Sequence, residues 1–192
     1  MPESNSTGIS REEALGLLSS HIKNEKTLDH SLASEAIMRK LARRLGEDEE
    51  LWGMAGLLHD LDYEITGEDM TRHGLIAAQL LKERGANPIL ADAVAKHNAE
   101  GLGLSRSSRL EHALVAAESI TGMIIATALV YPDKKIASVK PKSVTKRMKT
   151  PQFARAISRE RICECEKIGI ALPDFAALSI EAMGEIADQF GL

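Results

Sequence analysis

Along most of this chain, apolar residues return every three or four positions, the period of an amphipathic helix. Ala33, Ala36, Ile37, Leu41 and Leu45 form one such stripe and predict a long helix from about Leu28, ended by Gly46. Leu51, Met54, Ala55 and Leu58 form the next, on a helix that closes with His59 and Asp60. Helix starts are written just as plainly. Ser10-Arg11-Glu12-Glu13 and Ser108-Arg109-Leu110-Glu111 have the capping-box form, in which the serine takes the N3 amide and the glutamate reaches back. They predict helices to about His21 and about Leu129. Asn87-Pro88 supplies an N-cap followed by the proline favoured at N1. A helix from His73 to Gly85 precedes it, and the one it opens ends near His97-Asn98. Asp62 to Thr71 is aperiodic and reads as a loop, and Gly101-Leu102-Gly103 as a turn. Lys140 to Lys149, Thr150 to Arg161 and Asp174 to Phe190 read as further amphipathic segments.

No stretch alternates as a strand does, and Ala, Leu and Glu abound where β-branched and aromatic runs do not, so the expected fold is all-α. The 192 residues suit one helical domain over 10–192, with a core at about 28–130, further C-terminal helices at about 140–192 and a disordered segment at 1–9. Repeats and low-complexity segments are absent from the sequence.

Composition narrows the classes. With 44% hydrophobic and 27% charged residues the chain reads as globular, with no run approaching the roughly 18 apolar residues of a membrane span. The polar N-terminus lacks a signal peptide's basic and apolar regions, so a cytoplasmic address is expected. A net charge of -4 gives no global attraction to nucleic acid, and no specific nucleic-acid binding is expected. Cys163 and Cys165, two apart on a probable helix, point away from each other and read as reduced and structural. Homodimerisation is left open.

The chemistry starts at Ala55-Gly56-Leu57-Leu58-His59-Asp60-Leu61-Asp62-Tyr63. Adjacent residues on a helix point about 100° apart, so His59 and Asp60 share a ligand only at a helix end or in a groove. Imidazole with carboxylate suits Fe, Mn, Zn, Co or Ni better than Ca or Mg. Histidines also stand at 21, 30, 73, 97 and 112, four of the six falling with Asp60 and Glu118 at ends or inner faces of consecutive predicted helices. His21 and His112 read as packed or surface residues. Met54 and Met123 read as core filler.

The order His30-Ser31-Leu32, then Trp52 through Tyr63, then Lys96-His97-Asn98, then Ala116-Ala117-Glu118-Ser119-Ile120-Thr121-Gly122, resembles the HD-domain superfamily of metal-dependent phosphohydrolases. It is most similar to small stand-alone proteins of the HDIG subset. The resemblance implies His30, His59, Asp60 and Glu118 as ligands of one metal, and His73 with His97 as ligands of a second that Asp60 bridges. One or two divalent transition-metal ions are the implied cofactors. The sequence departs from the family twice: Glu118 stands where Asp is usual, and His59-Asp60-Leu61-Asp62 replaces His-Asp-Ile-Gly. Asp62 is then an acceptor for a ligand histidine or part of the substrate cleft.

The implied reaction is hydrolysis of a small phosphate ester, such as a nucleotide, by metal-bound hydroxide. Negative charge growing on phosphoryl oxygens asks for cations, and Lys96 is a candidate catalytic group. The basic run Lys134, Lys135, Lys140, Lys142, Lys146, Arg147 and Lys149 could cap the cleft, with Lys140 and Lys146 as substrate contacts. Arg155, Arg159 and Arg161 read as helix-surface partners of Glu160, Glu164 or Glu166. Two rivals stand beside the hydrolase: a di-iron oxygenase of the same superfamily, and a metal- or nucleotide-binding regulatory module without turnover.

Overall fold

The computed structural model describes residues 6–191, without the side chain of Phe190. Among the described residues it is all-α: α1 Arg11–His21, α2 Glu25–Leu45, α3 Glu49–Leu58, α4 Tyr63–Thr66, α5 Leu75–Glu83, α6 Pro88–Lys96, α7 Ala99–Leu102, α8 Arg109–Leu129, α9 Pro141–Met148, α10 Arg159–Cys163 and α11 Leu172–Gly184, with 3₁₀ turns at Ile136–Ser138, Glu164–Ile168 and Ala187–Phe190.

The predicted caps form. Ser10 and Glu13 close one box and Ser108 and Glu111 the other. The Asn87 side chain takes the Ile89 amide at 2.8 Å. Helix α2 begins three residues ahead of the expected Leu28 because Asn24 accepts the amides of Lys26 and Thr27 and caps it. Leu45 then hands over to Gly46 in the left-handed region, φ 71°. Such a conformation is nearly free only to glycine.

Helix α8 runs through the core with Leu110, Leu114, Ile120, Met123 and Ile124 buried. By length and composition it is apolar enough to cross a membrane, contrary to the sequence expectation, but 67% of that window is buried inside the fold. Its hydropathy is that of a central helix covered by α2, α3, α6 and α11. Helices α2 and α3 form the other principal contact, and Gly56 sets how closely they meet. A Cβ there would stand 2.6 Å from the Ser34 carbonyl oxygen on α2.

Two expectations are corrected. Residues 6–9, assigned to a disordered tail, lie on the turn between α5 and α6: the Thr7 carbonyl accepts the Asn87 amide at 2.8 Å and Ile9 is buried. The rest of that assignment, residues 1–5, falls outside the described residues. Thr150 to Ile157 is a series of turns, and helix resumes only at Arg159. The guanidinium of Arg159 holds this loop by donating to the carbonyls of Thr150, Phe153, Ala154 and Ile157, in place of the surface ion pair expected of it among the described residues.

Candidate metal centre

Helix α3 ends two residues after the close approach at Gly56, and His59 emerges against His30 on α2. Their Nε2 atoms are 3.1 Å apart. His73, just before α5, and His97, capping α6, form a second pair with Nε2 atoms 2.9 Å apart. Asp60 sits between the pairs. Its Oδ2 lies 3.5 Å from His59 Nε2 and 3.8 Å from His30 Nε2. Its Oδ1 lies 3.3 Å from His73 Nε2 and 3.4 Å from His97 Nε2. Ligand atoms of His30, His59 and Asp60 fall within 4.8 Å of one another, as do those of Asp60, His73 and His97.

The backs of the four rings explain why the fronts converge. His59 Nδ1 meets the Gly56 carbonyl at 2.8 Å, His97 Nδ1 the Val94 carbonyl at 2.6 Å, and His73 Nδ1 the Asp62 carboxylate at 2.9 Å. The Thr121 hydroxyl donates to the Glu118 carbonyl at 2.6 Å and so accepts from His30 Nδ1 at 2.9 Å. Each Nδ1 therefore carries a proton, and each Nε2 faces inward, where it offers a lone pair to a metal once any second proton is released. Two lone pairs facing each other at about 3 Å repel unless a cation or a proton lies between them. That donor set fits one or two divalent transition metals, with Asp60 shared, and the carbonyl and carboxylate partners are the kind that orient ligand imidazoles.

The titration behaviour follows from burial and charge. Burial holds His59 down to about 4, against the opposing charge of Asp60. Burial likewise lowers His30, aided by the charge of His59. For His73 burial pulls down, but hydrogen bonds and charge from Asp60 and Asp62 prevail and carry it to about 9. Burial pushes Asp60 up, yet the surrounding histidines keep it well below the usual carboxylate range.

Asp62, considered for either an acceptor or a cleft role, takes the first. It is fully buried, and its second oxygen accepts the amides of Gly74 and Ala77 at 2.8 and 2.9 Å, capping α5. It does not line the cavity beside the cluster. Gly74 makes this turn with φ 87°, and any Cβ there would stand 2.9 Å from the Ala95 carbonyl. Asn98 then ties the turn to α6, its amide donating to the carbonyls of Met70 and His73.

Other predicted residues lie elsewhere. Glu118 enters neither triad: its carboxylate pairs with Arg161 at 3.0 Å and accepts the Ser119 hydroxyl at 2.9 Å. Lys96 is spent on Asp92 and Glu111, at 2.7 and 3.0 Å, and does not line the cavity beside the cluster. The cavity beside the cluster, about 230 Å³, is lined by His30, Glu118, Thr121, Gly122, Ser158 and Arg161 with Ser119, Ala156 and Ile157. Lys140 and Lys146 do not line it; Lys146 borders a separate groove with Lys142, Lys149 and Leu172. Arg161, read as a surface partner, turns inward to Glu118 and donates to the His97 carbonyl. His21 and His112 stay outside the cluster, the latter on Glu164 at 2.7 Å. The sequence reading passed over Thr121. Its one signal is its place three residues after Glu118, on the same helical face.

Among the described residues, the fold and site define an all-α protein with a cluster of four histidines, three of them buried, around one aspartate, a donor set suited to divalent metals. Residues 27–128, which hold all five of these side chains, match the family model described as HD domain, and the chain belongs to that family. It is 31% identical over 77 residues to ribonuclease Y of Opitutus terrae, covering 40% of this chain and 15% of that protein. It is 36% identical over 80 residues to ribonuclease Y of Enterococcus faecalis, with the same coverage, and 30% identical over 98 residues to ribonuclease Y 2 of Levilactobacillus brevis, covering 51% and 18%. The chain thus spans less than a fifth of the length of these relatives. No solved structure matches it.

Proposed function

We propose that the protein is a metal-dependent phosphohydrolase acting on a small phosphate ester, such as a nucleotide. The observation that carries the reading is the convergence of four Nε2 atoms on the two oxygens of one carboxylate, with every Nδ1 held from behind. In this reading His30, His59 and Asp60 hold one ion, and Asp60, His73 and His97 the other. When bound, such ions lower the pKa of water towards 7 and polarise a phosphoryl oxygen. The chain's own residues do the rest. Gly56, Val94, Asp62 and Thr121 fix the ring tautomers, and burial of His59, His73 and His97 keeps the donors preorganised. The adjoining cavity of about 230 Å³ has roughly eight times the volume of a water molecule, room for a phosphoryl group and part of its ester.

A second reading concerns the substrate alone. The relatives are ribonucleases by name, and a basic helix, α9, carries Lys142, Lys146 and Arg147, so a phosphodiester of RNA is the rival to a small ester. Protein reconstituted with Mn, Fe, Co, Ni or Zn and offered mononucleotides, simple mono- and diesters and short single-stranded RNA separates the two. Turnover of small esters, abolished by Asp60→Asn, supports the first reading. Cleavage confined to RNA supports the second, and no turnover of any phosphoester by loaded protein removes both.

A further inference from the structure

Most of the cations on the surrounding elements are held by several partners. Arg106 spends its guanidinium on Glu100, Glu164 and the carbonyls of Lys96 and His97. Arg159 holds four loop carbonyls, and Lys96 is paired twice. Arg161 differs. One nitrogen, Nη2, meets both Glu118 and the His97 carbonyl, while Nε is buried with no hydrogen-bond partner among the described residues. A buried N–H without an acceptor is costly. Arg161 also lines the cavity that His30 enters, and it comes from α10, after the end of the matched HD segment at residue 128.

The geometry points to Arg161 as the residue that binds the substrate's phosphoryl oxygens, held on Glu118 until substrate arrives. This rests on the phosphohydrolase reading. A guanidinium offers a planar fork of donors that matches two oxygens of a phosphate, which a lysine ammonium cannot reproduce. Glu118 is a placeholder in this arrangement. Its carboxylate supplies the negative charge that keeps Arg161 at the cavity wall, and a phosphoryl dianion carries more charge and more acceptors than the carboxylate it displaces. Thr121, one turn along α8, meets His30 Nδ1 and lines the same cavity. The His97 carbonyl anchors Arg161 to the helix that carries a cluster histidine.

The test uses inorganic phosphate as probe, by titration calorimetry on metal-loaded wild-type, Arg161→Lys and Arg161→Ala proteins, with metal content and melting temperature measured on the same samples. Loss of one charged contact predicts phosphate binding weakened about tenfold or more in Arg161→Ala, with metal content unchanged. Arg161→Lys should recover part of the affinity, and it serves as the decisive variant if the alanine form does not fold. Where a turned-over ester is in hand, KM should rise more than kcat falls. Phosphate affinity within twofold of wild type in folded, metal-loaded variants overturns the proposal, as does loss of metal as the sole effect. Because phosphate binding is read without turnover, failure of the hydrolase reading and failure of the Arg161 assignment give different results: the first leaves phosphate bound through Arg161 with no ester cleaved, the second leaves esters cleaved with Arg161 dispensable.

Discussion

Asp62 holds His73. One carboxylate oxygen takes Nδ1 of the imidazole at 2.9 Å while the other caps α5 through two amides, so a single buried side chain both starts a helix and aims the His73 ring at Asp60.

Asp62→Asn keeps the shape and removes the charge. Loss of such a ligand-orienting carboxylate weakens metal affinity by roughly 10–100-fold, and the loss should fall on the ion held by His73 and His97. Competitive metal titration against a chromogenic chelator would show one weakened site and one unaltered site.

Gly56→Ala tests the helix approach that brings His30 to His59. Its Cβ would meet the Ser34 backbone at 2.6 Å, forcing α2 and α3 apart. Overpacking of this kind costs about 1–3 kcal/mol, read by urea denaturation, and metal affinity should fall with stability because the two rings sit on the separated helices.

Lys96→Met should lower stability by about 1–3 kcal/mol, since Glu111 is buried and loses its ammonium partner. Turnover of any ester should be unchanged in protein that remains folded, because the ammonium is committed to Asp92 and Glu111. A selective loss of kcat would return Lys96 to the active site.

Chelator-treated protein should be most stable near pH 6.5. His59, lowered to about 4 from the ordinary 6.5, contributes stability that is complete above 6.5 and lost as pH falls towards 4. His73, raised to about 9, contributes stability that is complete below 6.5 and lost as pH rises through 9. Urea midpoints from pH 4 to pH 9 would trace this dome. Metal uptake near pH 7.5 should release a proton, because His73 must give one up.

Much of this was legible in the sequence. The capping boxes at Ser10 and Ser108, the Asn87-Pro88 start and the helical stripes are local signals, and local signals placed the helices that carry His30, His59 and His97. The order of histidines around His59-Asp60 carried the cluster itself. What the sequence concealed is what arises between distant segments. Thr121 meets His30 across 91 positions, and Arg161 meets His97 across 64, and neither contact leaves a periodic trace. The same holds for Lys96, whose neighbour in sequence is a cluster histidine but whose ammonium pairs with Glu111, 15 positions on. Glu118 matched the family position by sequence, yet the charge that answers it comes from α10.

The central claim is that Asp60 is shared between two ions. Elemental analysis of protein purified without chelator or metal-affinity tag, in wild type and in His59→Ala, His73→Ala and Asp60→Ala forms, tests it most directly. The account predicts two transition-metal ions per chain in wild type, one in each histidine variant and none held tightly in Asp60→Ala. Wild-type protein without transition metal, or metal content unchanged by Asp60→Ala, would contradict it.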